Sequence, residues 1–159
     1  MAPKKARIVA ALFCIAYILI QCFQGYVYST IPEPANVTEV FLQGAIPIHQ
    51  LRSLLLLLSF FSLIYVFIVT VFYDLRRQKL LYTVAIIGLL IFCFLEIGIR
   101  SIEYFYFQIQ LPAVYIQTTS TVAKESIIEK YTVFQSVQAA LYFPLMLSQA
   151  IGSILIAII

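Results

Sequence analysis

The stretch from Leu80 to Ile102, LLYTVAIIGLLIFCFLEIGIRSI, decides the fold class of this chain. It carries no acidic or basic residue before Glu96. An α-helix rises about 1.5 Å per residue, and the hydrocarbon core of a bilayer is about 30 Å thick. This stretch is therefore long and apolar enough to cross a membrane as one helix.

Three other segments have the same length and apolar character. The sequence thus predicts four transmembrane helices, at about 8–28, 54–73, 80–102 and 133–159. Two longer outer loops, 29–53 and 103–132, and one short cytoplasmic turn, 74–79, connect them. The predicted fold is an all-α integral membrane protein in which the four helices form an antiparallel up-down bundle. The whole chain, 1–159, is one membrane domain.

The composition excludes a water-soluble fold. Of the 159 residues, 63% are hydrophobic and 11% are charged, whereas soluble domains have about 25% charged residues. The net charge is +3, and the basic residues form short clusters beside apolar runs. Nucleic-acid binding requires a basic patch or stripe, so nucleic acid is not an expected partner. The bilayer is.

The basic clusters predict the orientation, because Lys and Arg beside membrane helices stay on the cytoplasmic side. Two short stretches hold six of them: Lys4, Lys5, Arg7, Arg76, Arg77 and Lys79. The outer loops hold three more, diluted over longer segments: Arg52, Lys124 and Lys130. We expect both termini to be cytoplasmic, with the protein in an inner or plasma membrane.

Three charged residues lie at the end of the third segment: Glu96, Arg100 and Glu103. Spacings of four and three place them on one helical face, within reach of one another. Counted from Leu80, Glu96 lies about 24 Å along the helix and Arg100 about 30 Å, so only Glu96 is expected inside the hydrocarbon. Two interpretations remain open. The residues form a structural ion-pair cluster, or Glu96 handles a proton, cation or ligand, as intramembrane acids often do.

The fourth segment has a polar stripe at spacings of three, four and seven residues: Gln135, Gln138, Tyr142 and Gln149. Such residues either hydrogen-bond to neighbouring helices or line a polar pathway. In the first segment, Gln21 and Gln24 are expected at the depth of Gln135 and Gln138. We therefore predict a polar layer that joins the first, third and fourth helices.

The same segment has small or ring-limited residues at every fourth position: Ser136, Ala140, Pro144, Ser148 and Gly152. Small residues at that spacing allow two helices to approach closely. Pro144 lacks a backbone N–H, so a kink is predicted there.

The common enzyme motifs are missing from the sequence. It contains neither the H-E-x-x-H zinc motif nor the G-x-S-x-G serine motif, and it has a single histidine. No catalytic residue, metal or cofactor is expected. The sequence favours a non-enzymatic structural or accessory subunit of a membrane assembly, either a homo-oligomer or a complex with other membrane subunits. The alternative is an oligomeric transporter or channel for a small solute, proton or cation, with Glu96 and the glutamine face along its path.

Overall fold

The computed structural model describes residues 4–72 and 79–158, and almost all of them are helical. The helices are α1 (Lys4–Thr30), α2 (Val37–Gly44), α3 (Pro47–Phe72), α4 (Lys79–Ser101), α5 (Leu111–Gln117) and α6 (Thr121–Ile158). A π-helical segment, Ile102–Gln110, joins α4 to α5 without a break. Apart from Lys79, the predicted turn 74–79 lies outside the described residues.

The predicted fold class is confirmed: the chain is an all-α bundle. Four helical stretches have the length and apolar composition needed to cross a membrane: α1, α3, the continuous rod Lys79–Gln117, and α6. Each is long enough to span about 30 Å of hydrocarbon at about 1.5 Å per residue.

The four long helices pack in a row. α1 lies against α3, α3 against α4, and α4 against α6. Buried positions make up 6% of the most apolar window of α1 and 11% of that of α6, compared with 39% in the Lys79–Gln117 rod. α1 and α6 are therefore the edge helices, and α3 and α4 form the centre.

The first predicted loop, 29–53, is largely helical. Asn36 caps α2, since its side chain accepts from the Glu39 N–H at 2.9 Å, and Glu39 accepts from the Ala35 N–H at 2.7 Å. This reciprocal pair satisfies backbone donors at the start of a helix. Pro47 is the first residue of α3, a position where proline fits because its N–H is not needed. α3 therefore begins well before the predicted residue 54.

The second predicted loop, 103–132, is also largely helical. The rod from Lys79 to Gln117 has 39 residues and is about 58 Å long, nearly twice the hydrocarbon thickness. Beyond Ser101 it packs against α2 and the start of α6 around a buried cluster of Phe41, Phe107, Leu111 and Ile127. We call this assembly of α2, the π segment, α5 and residues 121–134 the cap. The half of the bundle beside it is the capped half, and the other is the uncapped half.

The π segment changes the helix geometry within the cap. The Leu111 N–H bonds to the carbonyl of Tyr106, five residues earlier. Pro112 follows, and its ring clashes with the carbonyl four residues earlier in a regular α-helix. The wider π turn is one way to accommodate that clash, and π turns are often found at functional sites.

α4 and α6 approach each other closely at two glycines. A Cβ placed on Gly88 would lie 2.8 Å from the Ser148 carbonyl oxygen, and one on Gly152 would lie 2.9 Å from the Ala85 carbonyl oxygen. Next to this crossing, Leu145 packs with Phe92 and Cys93 in the buried core.

Two of the five predicted small residues, Ser148 and Gly152, thus lie at the α4 contact. The other three, Ser136, Ala140 and Pro144, are exposed. Four residues exceed one helical turn by about 40°, so a strict four-residue spacing drifts off the packing face. Toward α4 the face follows spacings of four and three instead, through Leu141, Leu145, Ser148 and Gly152.

Two glycines of α4, Gly88 at the crossing and Gly98 away from it, allow a matched pair of substitutions. Gly88→Ala places a methyl group against the backbone of α6 and should destabilise the protein by about 1–3 kcal/mol, because overpacking forces the helices apart. A Cβ on Gly98 meets nothing within 4 Å, so Gly98→Ala should be neutral or slightly stabilising. Denaturant unfolding in detergent micelles, followed by circular dichroism, measures both. Equal effects of the two variants would contradict the close crossing.

Candidate functional site

The three charged residues predicted on one face of the third helix come together in the capped half. Arg100 Nε donates to Glu96 Oε2 at 3.1 Å, and Arg100 Nη1 donates to Glu103 Oε2 at 2.7 Å. Glu96 is 6% exposed. Both carboxylates therefore share one guanidinium, an arrangement that offsets part of the cost of burying them.

A second arginine, which the sequence analysis assigned to a loop, completes the network. Arg52 of α3 is 4% exposed, and its Nη2 lies 3.6 Å from Glu103 Oε1. Nη2 also donates to Ser53 Oγ at 3.1 Å, and Nη1 donates to the Tyr28 hydroxyl. The guanidinium carbon sits 4.8 Å from the centre of the Tyr28 ring, a cation–π distance. Pro47 is the sequence signal for this placement, because proline is common at the first position of a helix, and a helix that begins there includes Arg52.

Gln108 is the second residue that sequence reasoning missed. Its Nε2 donates to Ser53 Oγ at 2.8 Å and to Glu103 Oε1 at 3.3 Å. Five residues of regular α-helix turn a side chain by about 140° to the far side. The π segment, with its i to i+5 bonding, brings Gln108 back over Glu103. No periodicity argument based on an α-helix would have placed it there.

A cavity of about 700 Å³ in the capped half is lined by Arg52, Arg100, Glu103 and Gln108, among others. α1, α3, the π segment and α6 all contribute to its wall. Six residues singled out from the sequence line it: Gln24, Arg100, Glu103, Gln135, Gln138 and Tyr142. Of the glutamines in the predicted polar layer, Gln24, Gln135 and Gln138 line this cavity, and Gln21 does not.

The remaining predicted residues lie elsewhere. Glu96 is buried against Arg100, behind the cavity wall, and is not among the lining residues. Gln21 is half-buried one turn along α1 from Gln24, also outside the lining. Gln149 is half-buried in the uncapped half, beside the Gly152 crossing. The stripe on α6 therefore divides into a part that faces the cavity and a part that does not.

Three buried polar atoms of the cavity residues lack a hydrogen-bond partner among the described residues: His49 Nε2, Arg52 Nε and Gln108 Oε1. Each belongs to a side chain less than a tenth exposed. A buried polar group without a partner costs about 1–3 kcal/mol. These three lining residues therefore have unused hydrogen-bonding capacity. Three of the charged side chains in the wall, Arg52, Arg100 and Glu103, are ion-paired.

The chemistry of this site is suited to holding polar groups. Within residues 4–72 and 79–158, no group of three or more His, Cys, Asp or Glu side chains is placed to hold a metal ion. The cavity instead presents guanidinium, carboxylate, amide and phenol groups.

This chain matches no known protein family, and no characterised protein or solved structure shows similarity to it. Its function must therefore be argued from the cavity, the ion pairs and the exposed helix faces.

The ion pairs generate a double-mutant test. Arg100→Gln leaves Glu96 buried without its partner and should lower the free energy of unfolding by about 3–5 kcal/mol. The double variant Glu96→Gln/Arg100→Gln carries no unpaired charge at that position and should be more stable than Arg100→Gln alone. Denaturant unfolding in micelles measures the coupling.

Glu129→Gln, at an exposed position of α6, is the matched control and should change stability by less than about 0.5 kcal/mol. Strictly additive effects of Glu96→Gln and Arg100→Gln would show that the pair is not energetically coupled.

Proposed function

We propose that this chain is a non-enzymatic structural or accessory subunit of a membrane assembly. The observation that carries the proposal is that the charged groups of the capped half do not continue through the bundle. Acidic and basic residues are absent from α3 beyond Arg52, from α4 between Lys79 and Glu96, and from α6 beyond Lys130. A conducting path needs polar groups or water along its whole length.

The hydroxyl groups of the uncapped half support the same proposal. Ser59 donates to the Leu56 carbonyl at 2.6 Å, Thr70 to the Val66 carbonyl at 2.8 Å, and Thr83 to the Lys79 carbonyl at 2.8 Å. Each hydroxyl is satisfied by its own helix, as is common for Ser and Thr inside helices. These groups are therefore already engaged, which disfavours a polar track through the uncapped half.

The edge helices supply the surfaces for assembly. α1 and α6 each bury a small share of their apolar windows within the subunit. In lipid, helices associate through close packing and small residues rather than through a hydrophobic driving force. Ser136 and Ala140 are exposed on α6, one turn apart, and offer such a surface. We propose that other subunits, or further copies of this chain, pack there.

The proposal includes an orientation with both termini in the cytoplasm. The basic clusters beside α1 and α4 favour it by the positive-inside rule. Arg52 is buried in an ion pair with Glu103 and so does not count as a free loop charge on the other side. Its burial supports the difference in charge between the two sides, and in the proposed orientation the cap lies on the outer side.

A second candidate function is an oligomeric transporter or channel for a small solute, proton or cation. The 700 Å³ cavity favours it, because transporters bind their substrates in polar cavities within the membrane. In this alternative, Arg100, Glu103 and the glutamines of α6 would contact the solute, and Glu96 would respond through Arg100.

A flux experiment separates the two functions. In proteoliposomes with a proton or potassium gradient, we expect the wild-type protein to leave the gradient unchanged relative to empty vesicles, because no polar path crosses the uncapped half. Robust flux in the wild type that Glu96→Gln abolishes would favour the transporter instead. Glu129→Gln is the control for nonspecific leaks.

Photo-crosslinking tests the assembly directly. Cys14 and Cys22 are exposed on α1, so a benzophenone maleimide attached to them in native membranes reports on neighbouring helices. We expect discrete protein adducts after illumination, which the double variant Cys14→Ser/Cys22→Ser should lose. Cys93 is buried and remains in that variant as the internal control. Adducts with lipid alone would contradict assembly through α1.

A further inference from the structure

The geometry of the cavity points to a ligand that the proposed subunit role does not require. We propose that the capped half binds a small zwitterion, with an anionic oxygen-bearing group at one end and an ammonium group at the other. This inference stands apart from the proposed subunit role, since a subunit could serve that role with an empty cavity.

The unsatisfied atoms, which are buried in residues of the cavity wall, indicate what a ligand that reaches them must offer. The Nε–H group of Arg52 can only donate, so it requires an acceptor. The Gln108 amide nitrogen faces the Glu103 carboxylate, which fixes the orientation of the amide. Gln108 Oε1 is therefore the free end, and it can only accept. A ligand that satisfies both atoms must carry an acceptor and a donor.

The two atoms are close enough to be served by one small molecule. Arg52 Nη2 and Gln108 Nε2 both donate to Ser53 Oγ, at 3.1 Å and 2.8 Å. Their side chains therefore converge on a single hydroxyl. His49, whose Nε2 is the third unsatisfied atom, lies one helical turn before Ser53 on α3. The acceptor and donor groups of the ligand must accordingly be only a few bonds apart.

The charges of the wall exclude simple ions. Two arginines and two glutamates line the cavity: Arg52, Arg100, Glu33 and Glu103. A lone anion would be repelled by the carboxylates and a lone cation by the guanidiniums, whereas a zwitterion can place each end beside the opposite charge. The wall also contains three tyrosines, Tyr28, Tyr131 and Tyr142. Phenol rings attract ammonium groups.

The size of the cavity agrees with this class of ligand. About 700 Å³ falls within the usual range of about 300–1,000 Å³ for small-molecule sites. Two sources share the chemistry: a free amino acid, or the headgroup of a zwitterionic phospholipid. Because the wall includes both edge helices, which pack chiefly on α3 and α4 rather than on each other, a headgroup could enter between α1 and α6.

The test is ligand-dependent thermal stability of the full-length protein in detergent, followed by circular dichroism. The lipid arm uses dihexanoyl phosphatidylethanolamine, with dihexanoyl phosphatidylglycerol as the net-anionic control. The solute arm uses free serine and glutamine, with ethanolamine and acetate as single-charge controls. A zwitterion at about a hundredfold excess over its Kd should raise Tm by about 5–10 °C, and the controls should not. A rise in Tm in one arm alone supports the proposal and identifies whether the ligand is a lipid headgroup or a free amino acid.

Two variants tie the shift to the cavity. Gln108→Leu and Gln138→Leu should each weaken binding by about tenfold, as expected for loss of one hydrogen bond. Gln138 lies outside the ion-pair network, so its variant remains informative if Gln108→Leu fails to fold. Gln149→Leu is the same change on α6 outside the cavity and should bind normally. No shift with any zwitterion, equal shifts with zwitterions and controls, or loss of binding in Gln149→Leu would each overturn the proposal.

Discussion

The structure depends on Glu103, one carboxylate that two arginines on different helices share. Arg100 approaches it from the preceding turn of its own rod at 2.7 Å, and Arg52 approaches from α3 at 3.6 Å. Buried charges are costly unless paired, so the three groups stabilise the bundle only in one relative position of α3 and the Lys79–Gln117 rod. An axial shift of α3 by one helical turn, about 5.4 Å, would separate Arg52 from Glu103.

The π segment follows from the same constraint. Gln108 reaches both Glu103 and Ser53 because the wider turn carries it to the inner face. Its neighbour Phe107 then packs in the cap, stacked on Phe134 with ring centroids 4.4 Å apart. Phe107 thus packs among the apolar residues of the cap, whereas the next residue, Gln108, bonds to the polar groups around Glu103. The cap and the ion pairs are therefore built as one unit, which holds the wall of the cavity in place.

The open arrangement of the helices connects this architecture to function. α3 and the Lys79–Gln117 rod are held together by the Arg52–Glu103 ion pair and by core packing, while α1 and α6 are each attached along one side. The capped half consequently encloses polar groups, and the edges display apolar surface. Assembly through the edges and binding in the cavity use different residues, so the two proposals can be tested independently.

Much of this protein was determined by its sequence alone. The apolar segments predicted four helices long enough to cross a bilayer, because hydrocarbon admits few alternatives to a continuous helix. The described residues contain four such helices. The spacing of Glu96, Arg100 and Glu103 established that they meet, because neighbours three and four apart on an α-helix touch regardless of tertiary contacts. The spacing of Gln138 and Tyr142 placed them on one face by the same rule.

Only the tertiary structure decided which residues complete the site. Arg52 and Glu103 are far apart in sequence, and their pairing depends on the packing of α3 against α4. The position of the Gln108 side chain beside Glu103 depends on a change from α-helix to π-helix, which α-helical periodicity does not predict. The predicted loops are largely helical because the cap gives their apolar residues, Phe41 and Ile127 among them, a core in which to pack. Local spacing determines contacts within a helix, whereas contacts between helices and departures from the α form depend on how the whole chain packs.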